Sequence, residues 1–80
     1  MTKNLISITI ISKNTPGVLY RIAGIFLRRK INVESLNVKA KASTNQAKFM
    51  INIISDLDSA NLICKQIKKI IEVEEVMFSR

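Results

Sequence analysis

In residues 5–26, LISITIISKNTPGVLYRIAGIF, the spacing of the apolar residues changes from that of a strand to that of a helix. Apolar and polar residues alternate between Leu5 and Ile11, which predicts a strand with one buried face. The cluster SKNTPG at residues 12–17 predicts a turn, with Thr15 as the N-cap and Pro16 as the first residue of a helix. Within that helix, apolar residues recur at Leu19, Ile22, Ala23 and Phe26. The segment therefore predicts a strand that leads directly into an amphipathic helix.

A hairpin follows this helix. Alternation resumes from Asn32 to Ala40, and the polar stretch Ala42–Asn45 predicts a hairpin turn. The returning strand carries its apolar residues at Ala47, Phe49, Ile51 and Ile53. These two strands are therefore expected to pair with each other in antiparallel fashion.

A second helix and a short strand complete the pattern. Asp56 or Asp58 is expected to cap the helix, and residues 73–78 predict the last strand. The apolar stripe of the helix comprises Ile63, Ile67, Ile70 and Ile71. The predicted order of elements is βαββαβ.

This order predicts an α+β fold of the ferredoxin-like type, organised as one domain over residues 1–80. Right-handed crossovers place both helices on one face of a four-stranded antiparallel sheet. The opposite face, near Ile11, Met50 and Ile54, and the edge at the second strand are then left uncovered. Dimerisation through that edge would hide it and extend the sheet.

Composition excludes several classes of protein. Of the 80 residues, 48% are hydrophobic, which favours burial of some of this surface against a partner subunit. One cysteine, Cys64, and no histidine exclude a disulfide framework, a His-activated nucleophile and a Cys/His metal site. We expect Cys64 to pack in the core, and Glu72, Glu74 and Glu75 to form a solvated cluster. We therefore expect no enzyme activity, no metal and no catalytic residue in this chain.

The net charge of +7 leaves a nucleic-acid-binding module as an alternative function. RNA-binding domains of this fold stack bases on aromatic residues of their two central strands. Here the first strand has no aromatic residue and the third has only Phe49, which alternates with the core set. We therefore expect no nucleic-acid partner. No apolar run approaches the roughly 20 residues needed to span a bilayer, so we expect a cytoplasmic protein without a membrane partner.

The turn before the first helix is the candidate binding segment. A helix N-terminus offers unpaired N–H groups and a partial positive charge, which suit a carboxylate. Gly17 has no Cβ to keep a ligand from the backbone, and the side chain of Asn14 both donates and accepts hydrogen bonds. An ordinary capped turn would use the same residues, so at this point the two interpretations remain open.

Three sequence motifs carry a resemblance to a known family. They are Asn14…Gly17 at the start of the first helix, Gly24-Ile25-Phe26…Arg29 within it, and Asn32-Val33-Glu34-Ser35-Leu36 on the second strand. Together with the βαββαβ order, they resemble the ACT domain of acetolactate (acetohydroxyacid) synthase small subunits. The third motif makes the resemblance specific to that family.

The resemblance implies a regulatory subunit that has no cofactor of its own. It implies a homodimer that pairs through the second strand and binds an amino-acid effector, typically valine, between protomers. It also implies association with a catalytic subunit, which carries thiamine diphosphate, magnesium and flavin. An ACT domain retained for assembly alone, without a ligand, is a further alternative.

Carried over residue by residue, the resemblance divides the effector site between two protomers. Asn14, Gly17, Val18 and Leu19 would hold the polar end of the ligand. Asn32 and Val33 would come from the neighbouring protomer. Glu34 and Ser35 have strand pairing as their simplest role.

Overall fold

The computed structural model describes residues 3–41 and 43–80, which form one four-stranded sheet and two helices. The elements follow the predicted order. They are β1 (Asn4–Lys13), α1 (Val18–Arg28), β2 (Asn32–Lys41), β3 (Gln46–Ser55), α2 (Leu57–Lys68) and β4 (Val73–Ser79). The ferredoxin-like βαββαβ fold is thereby confirmed.

The sheet has the strand order β2-β3-β1-β4, and each pair of neighbouring strands is antiparallel. Both central strands, β1 and β3, alternate between buried and more exposed residues, as their sequences predict. Their buried residues form a single core with the inward faces of both helices. We call this side of the sheet the helix face and the other side the open face. Ile11, Met50 and Ile54 lie on the open face and are only partly buried.

Strand β2 is an edge strand that the other described residues leave uncovered. All ten of its residues are exposed. Its register with β3 places Val33, Leu36, Val38 and Ala40 on the helix face, opposite buried β3 residues. A bulge between Val33 and Ser35 shifts the register by one residue, so that Glu34 has no direct partner on β3. The apolar residues on this edge are therefore exposed in a single copy of the chain.

The start of α1 differs from the prediction. The helix begins at Val18 rather than at Pro16, and its N-cap is Gly17 rather than Thr15. Gly17 has φ 89°, a left-handed conformation that a residue with a side chain adopts only with strain. A change of backbone direction therefore starts this helix, without a side-chain cap.

Other differences concern the ends of elements. Strands β1 and β3 each extend into polar residues beyond the predicted apolar core. Two residues of the predicted apolar stripe of α2, Ile70 and Ile71, lie beyond that helix; Ile70 packs against the core, whereas Ile71 is 92% exposed. Of the predicted hairpin turn, residues 43–45 form the turn, with Asn45 at φ 53°, whereas Ala42 lies outside the described residues.

Candidate functional site

The first turn of α1 presents backbone N–H groups that have no acceptor. The N–H of Val18 makes only a long contact of 3.4 Å with the carbonyl oxygen of Thr15. No hydrogen bond within the described part of the chain engages the N–H groups of Leu19 or Tyr20. The first turn of α1 also contains no acidic residue, so its partial positive charge is uncompensated.

Helix α2 shows how this protein satisfies a helix N-terminus when it uses its own side chains. Asp56 is the N-cap, and its Oδ1 accepts a 2.9 Å hydrogen bond from the N–H of Ser59. Hydrogen bonding from the Ser59 hydroxyl, followed by its N–H, lowers the pKa of Asp56. Asp58 adds a second carboxylate to the first turn. Compared with α2, helix α1 lacks the carboxylate that its N-terminus favours.

The β1–α1 turn is fixed from both sides. The N–H of Asn14 donates to the carbonyl oxygen of Asn45 at 2.9 Å, and the N–H of Lys13 donates to that of Glu72 at 2.9 Å. Arg21, on the second turn of α1, forms an ion pair of 2.7 Å with the Glu72 carboxylate. The Arg21 guanidinium beside it is the main cause that lowers the pKa of Glu72. The turn is therefore held in place before any ligand arrives.

Two polar side chains in this turn have no partner. The side chain of Asn14 is exposed and makes no hydrogen bond with the described residues. The hydroxyl of Thr15 is buried and also lacks a hydrogen-bond partner there. A buried hydroxyl without a partner lowers stability. Thr15 thus neither caps α1, as its sequence position predicts, nor lines the groove described below.

An open apolar groove of about 320 Å³ runs beside this turn, between α1 and β2. Its walls include Leu19, Ala23 and Leu27 from α1 and Val33 and Leu36 from β2. Leu19, in the first turn, joins the free N–H groups to the apolar groove. The groove and the helix start together suit a small molecule with a carboxylate and an aliphatic side chain.

The predicted site residues fall into two groups within one chain. Asn14, Gly17, Val18 and Leu19 lie together at the N-terminal end of α1, and the Val18 side chain is 2% exposed, so only its backbone can face a ligand. Asn32 and Val33 lie at the start of β2, near the C-terminal end of α1. Helix α1, about 16 Å long, lies between the ends where the two groups are found, although Leu19 and Val33 line the same groove. One copy of the chain therefore does not bring all six residues together.

The acidic residues and the cysteine of the described part of the chain form no metal-binding cluster. No group of three His, Cys, Asp or Glu residues among them is placed to hold a metal ion. Cys64 is buried in the core, as predicted, and burial raises the pKa of its thiol. The glutamates after α2 are not merely solvated, because Glu72 pairs with Arg21 and Glu74 accepts a hydrogen bond of 2.7 Å from Gln46. None of these groups forms an acid–base pair with another.

Neither helix is long and apolar enough to cross a membrane, over the residues that the structure describes.

Curated relatives match most of this chain. It is 36% identical over 70 residues to a probable acetolactate synthase small subunit of Archaeoglobus fulgidus, which covers 88% of this chain and 44% of the relative. It is 32% identical over 71 residues to the acetolactate synthase small subunit of Mycobacterium leprae, which covers 89% of this chain and 42% of the relative. The chain thus spans less than half the length of the curated relatives it matches.

Solved structures support the same fold. The acetolactate synthase small subunit of Thermotoga maritima superposes with a TM-score of 0.80 and 26% identity, covering 96% of this chain and 47% of that one. The ACT domain of a GTP pyrophosphokinase from Chlorobium tepidum superposes with a TM-score of 0.85 and 19% identity, covering 98% and 100%. The second likeness concerns the fold alone.

The motifs at the start of α1 and on β2 lie within the part of the chain that matches a family model. The model of the AHAS small subunit-like ACT domain matches residues 8–75, which include β1 from Ile8 onward, both helices, β2, β3 and the beginning of β4. The chain therefore belongs to the family of ACT domains of the AHAS (acetolactate synthase) small subunit type.

Proposed function

We propose that this chain is a non-catalytic regulatory subunit that binds a branched-chain amino acid, valine above all, between two protomers. Binding controls a separate acetolactate synthase catalytic subunit by feedback inhibition. Family membership supports the regulatory role. Ligand binding is supported chiefly by the start of α1, where free N–H groups without a carboxylate adjoin an apolar groove.

The two parts of an amino acid fit two parts of this surface. Its carboxylate would accept hydrogen bonds from the N–H groups of Leu19 and Tyr20, and its ammonium group would donate to the side-chain oxygen of Asn14. Its aliphatic side chain would enter the groove beside Leu19. A pocket of this kind distinguishes valine from leucine or isoleucine by only about 1–3 kcal/mol.

A homodimer through β2 would complete the site. If two β2 strands pair in antiparallel fashion, the start of each strand lies beside the end of the other. Asn32 and Val33 of the partner subunit would then lie near the N-terminal end of α1. Pairing would also cover the exposed helix-face residues of β2, such as Leu36. Under this proposal the effector stabilises one arrangement of the dimer, and the catalytic subunit senses that arrangement.

In this proposal, the catalytic subunit carries out the reaction, and the chain described here does not. The catalytic subunit holds thiamine diphosphate, magnesium and flavin, and this chain contributes none of them. By linkage, association with the catalytic subunit must change valine affinity by the same factor by which valine changes association.

Calorimetric titration of the folded chain with valine, leucine and isoleucine tests the effector directly. Asn14→Ala is expected to weaken valine binding about 10- to 100-fold, because a hydrogen bond to a charged group is lost. Asn61→Ala, on the exposed surface of α2, is the matched control and should leave binding unchanged. Inhibition of the catalytic subunit by valine should fall in parallel with binding.

Two results would contradict the proposal. Absence of heat with all three amino acids would remove the effector and leave an assembly domain without a ligand. Equal losses in Asn14→Ala and Asn61→Ala would show that the turn before α1 is not the binding segment. Dimer mass, measured for both variants, separates a lost contact from lost assembly.

A further inference from the structure

The charged residues of strand β2 are separated by sign along its length. Glu34 lies near its start, and Lys39 and Lys41 lie near its end. All three residues are exposed at the uncovered edge of the sheet. A strand with an acid at one end and cations at the other is complementary to a second copy of itself only when the two run in opposite directions.

Among the described residues, none of these charges forms an ion pair. The carboxylate of Glu34 accepts one hydrogen bond, of 3.0 Å, from the side-chain nitrogen of Asn32. Lys39 lies directly opposite Lys48 on β3, an arrangement of like charges that opposes strand pairing. The ion pair found between described residues joins Arg21 on α1 to Glu72, and it involves no residue of β2. The charges on β2 are therefore available to pair with charges on a second copy of the chain.

The faces of β2 restrict how two copies can pair. Residues directly opposite each other in an antiparallel pair point to the same face of the sheet. With Asn37 opposite Asn37 of the partner subunit, Leu36 meets Val38 of the partner subunit on the helix face. Beyond the bulge at Glu34, Val33 meets the partner's Ala40, so that helix-face residues meet throughout.

This register also joins the opposite charges. In it, Ser35 lies opposite the partner's Lys39, and Glu34 occupies the extra position of the bulge beside it. The Glu34 carboxylate is already on the open face, because it contacts Asn32, which is opposite the open-face residue Ile54. Lys39 is on the open face as well, opposite Lys48. The two charges therefore lie on the same face and at the same position along the contact between the two β2 strands, which we call the seam.

We propose that Glu34 and the partner's Lys39 form an ion pair, made twice per dimer by symmetry, which fixes the register of the β2 seam. The inference rests on the proposed function, in which a second copy completes the effector site. A slip of two residues would move the partner's Asn32 by about 7 Å along the strand. The ion pair thus positions the second half of the site relative to Gly17.

A charge-swap experiment tests this pairing. Glu34→Lys and Lys39→Glu each place like charges together at both symmetric positions of a homodimer. Each variant alone is expected to raise the dimer dissociation constant about 10- to 100-fold, and less so in high salt. An equimolar mixture of the two variants restores opposite charges at both positions. The dissociation constant of this heterodimer, measured by sedimentation equilibrium, is expected to lie within about threefold of the wild-type value.

The matched controls carry the same charge changes away from the seam. They are Glu75→Lys on β4 and Lys65→Glu on α2, both at exposed positions. Neither should weaken the dimer more than about threefold, since surface charges away from an interface contribute little. Circular dichroism melts of each variant confirm that the fold is retained.

The outcomes separate this inference from the proposed function. Failure of the mixture to bind more tightly than the single variants, or equal weakening by the controls, would overturn the ion pair. If the swap succeeds and valine gives no heat with wild type, the effector is wrong and the ion pair stands. A wild-type chain that stays monomeric at all concentrations would contradict both the ion pair and the effector site shared between two copies.

Discussion

At the scale of single residues, the two glycines of this chain have opposite energetic roles. Gly17 has φ 89° at the start of α1, whereas Gly24 lies within the helix. A Cβ added at either position would meet no atom within 4 Å, so crowding explains neither glycine. Backbone conformation alone distinguishes them.

Substitution by alanine is therefore expected to change stability in opposite directions. Gly17→Ala should lower the free energy of unfolding by about 1–2 kcal/mol, the cost of a left-handed conformation for a residue with a side chain. Gly24→Ala should raise it by about 0.5–1 kcal/mol, because alanine favours the helix. Urea unfolding at one protein concentration measures both, and a shift of the same sign in the two variants would contradict this account.

The carboxylate of Asp56 gives a prediction about pH. Its pKa is lower in the folded chain, because Ser59 hydrogen-bonds to the charged form. Its contribution to stability is thus fully present above the unfolded pKa, near 4, and is lost as the pH falls through the folded pKa. Asp56→Asn retains a good N-cap but cannot titrate. We expect this variant to lose less stability than wild type between neutral and acidic pH in thermal melts. A steeper loss than in wild type would refute the assignment.

At the scale of elements, β2 and α2 offer a matched pair of exposed leucines. Leu36 on β2 is 50% exposed and Leu62 on α2 is 46% exposed in one chain. Leu36→Gln should weaken the dimer about tenfold or more, because this side chain lies at the proposed seam. Leu62→Gln should leave the dimer unchanged. Sedimentation equilibrium of both variants is the measurement, and dissociation by Leu62→Gln alone would locate the interface on α2.

The elements themselves could be predicted because their signals are local. Alternation around Ile6, Ile8 and Ile10 and the helical spacing that follows depend on neighbours within a few residues. The start of α1 was predicted wrongly, since Thr15 and Pro16 both have the propensities of a helix start, while the positive φ of Gly17 displaces it to Val18. The bulge at Glu34 is visible in the sequence only as a spacing of three residues between Val33 and Leu36, which breaks the alternation of β2 and was not interpreted as a bulge.

At the scale of the molecule, the site could be predicted only in part. The segment from Asn14 to Leu19 is continuous, so its chemistry can be deduced from the sequence. The contacts that fix it join distant residues, such as Arg21 with Glu72 and Asn14 with Asn45. The free hydroxyl of Thr15 depends on burial by the folded chain. Such features follow from packing and require coordinates.

The opposite edge of the sheet has a consequence for growth of the assembly. If two copies pair through their β2 strands as proposed, each end of the combined sheet is a β4 strand, because β4 is the other edge strand of each copy. That strand is only seven residues long, bears Glu74 and Glu75, and follows an irregular register beside Ser12. Short, charged and bent borders resist the addition of further strands. Under the proposed pairing, the assembly is therefore expected to stop at two copies rather than to polymerise into fibrils.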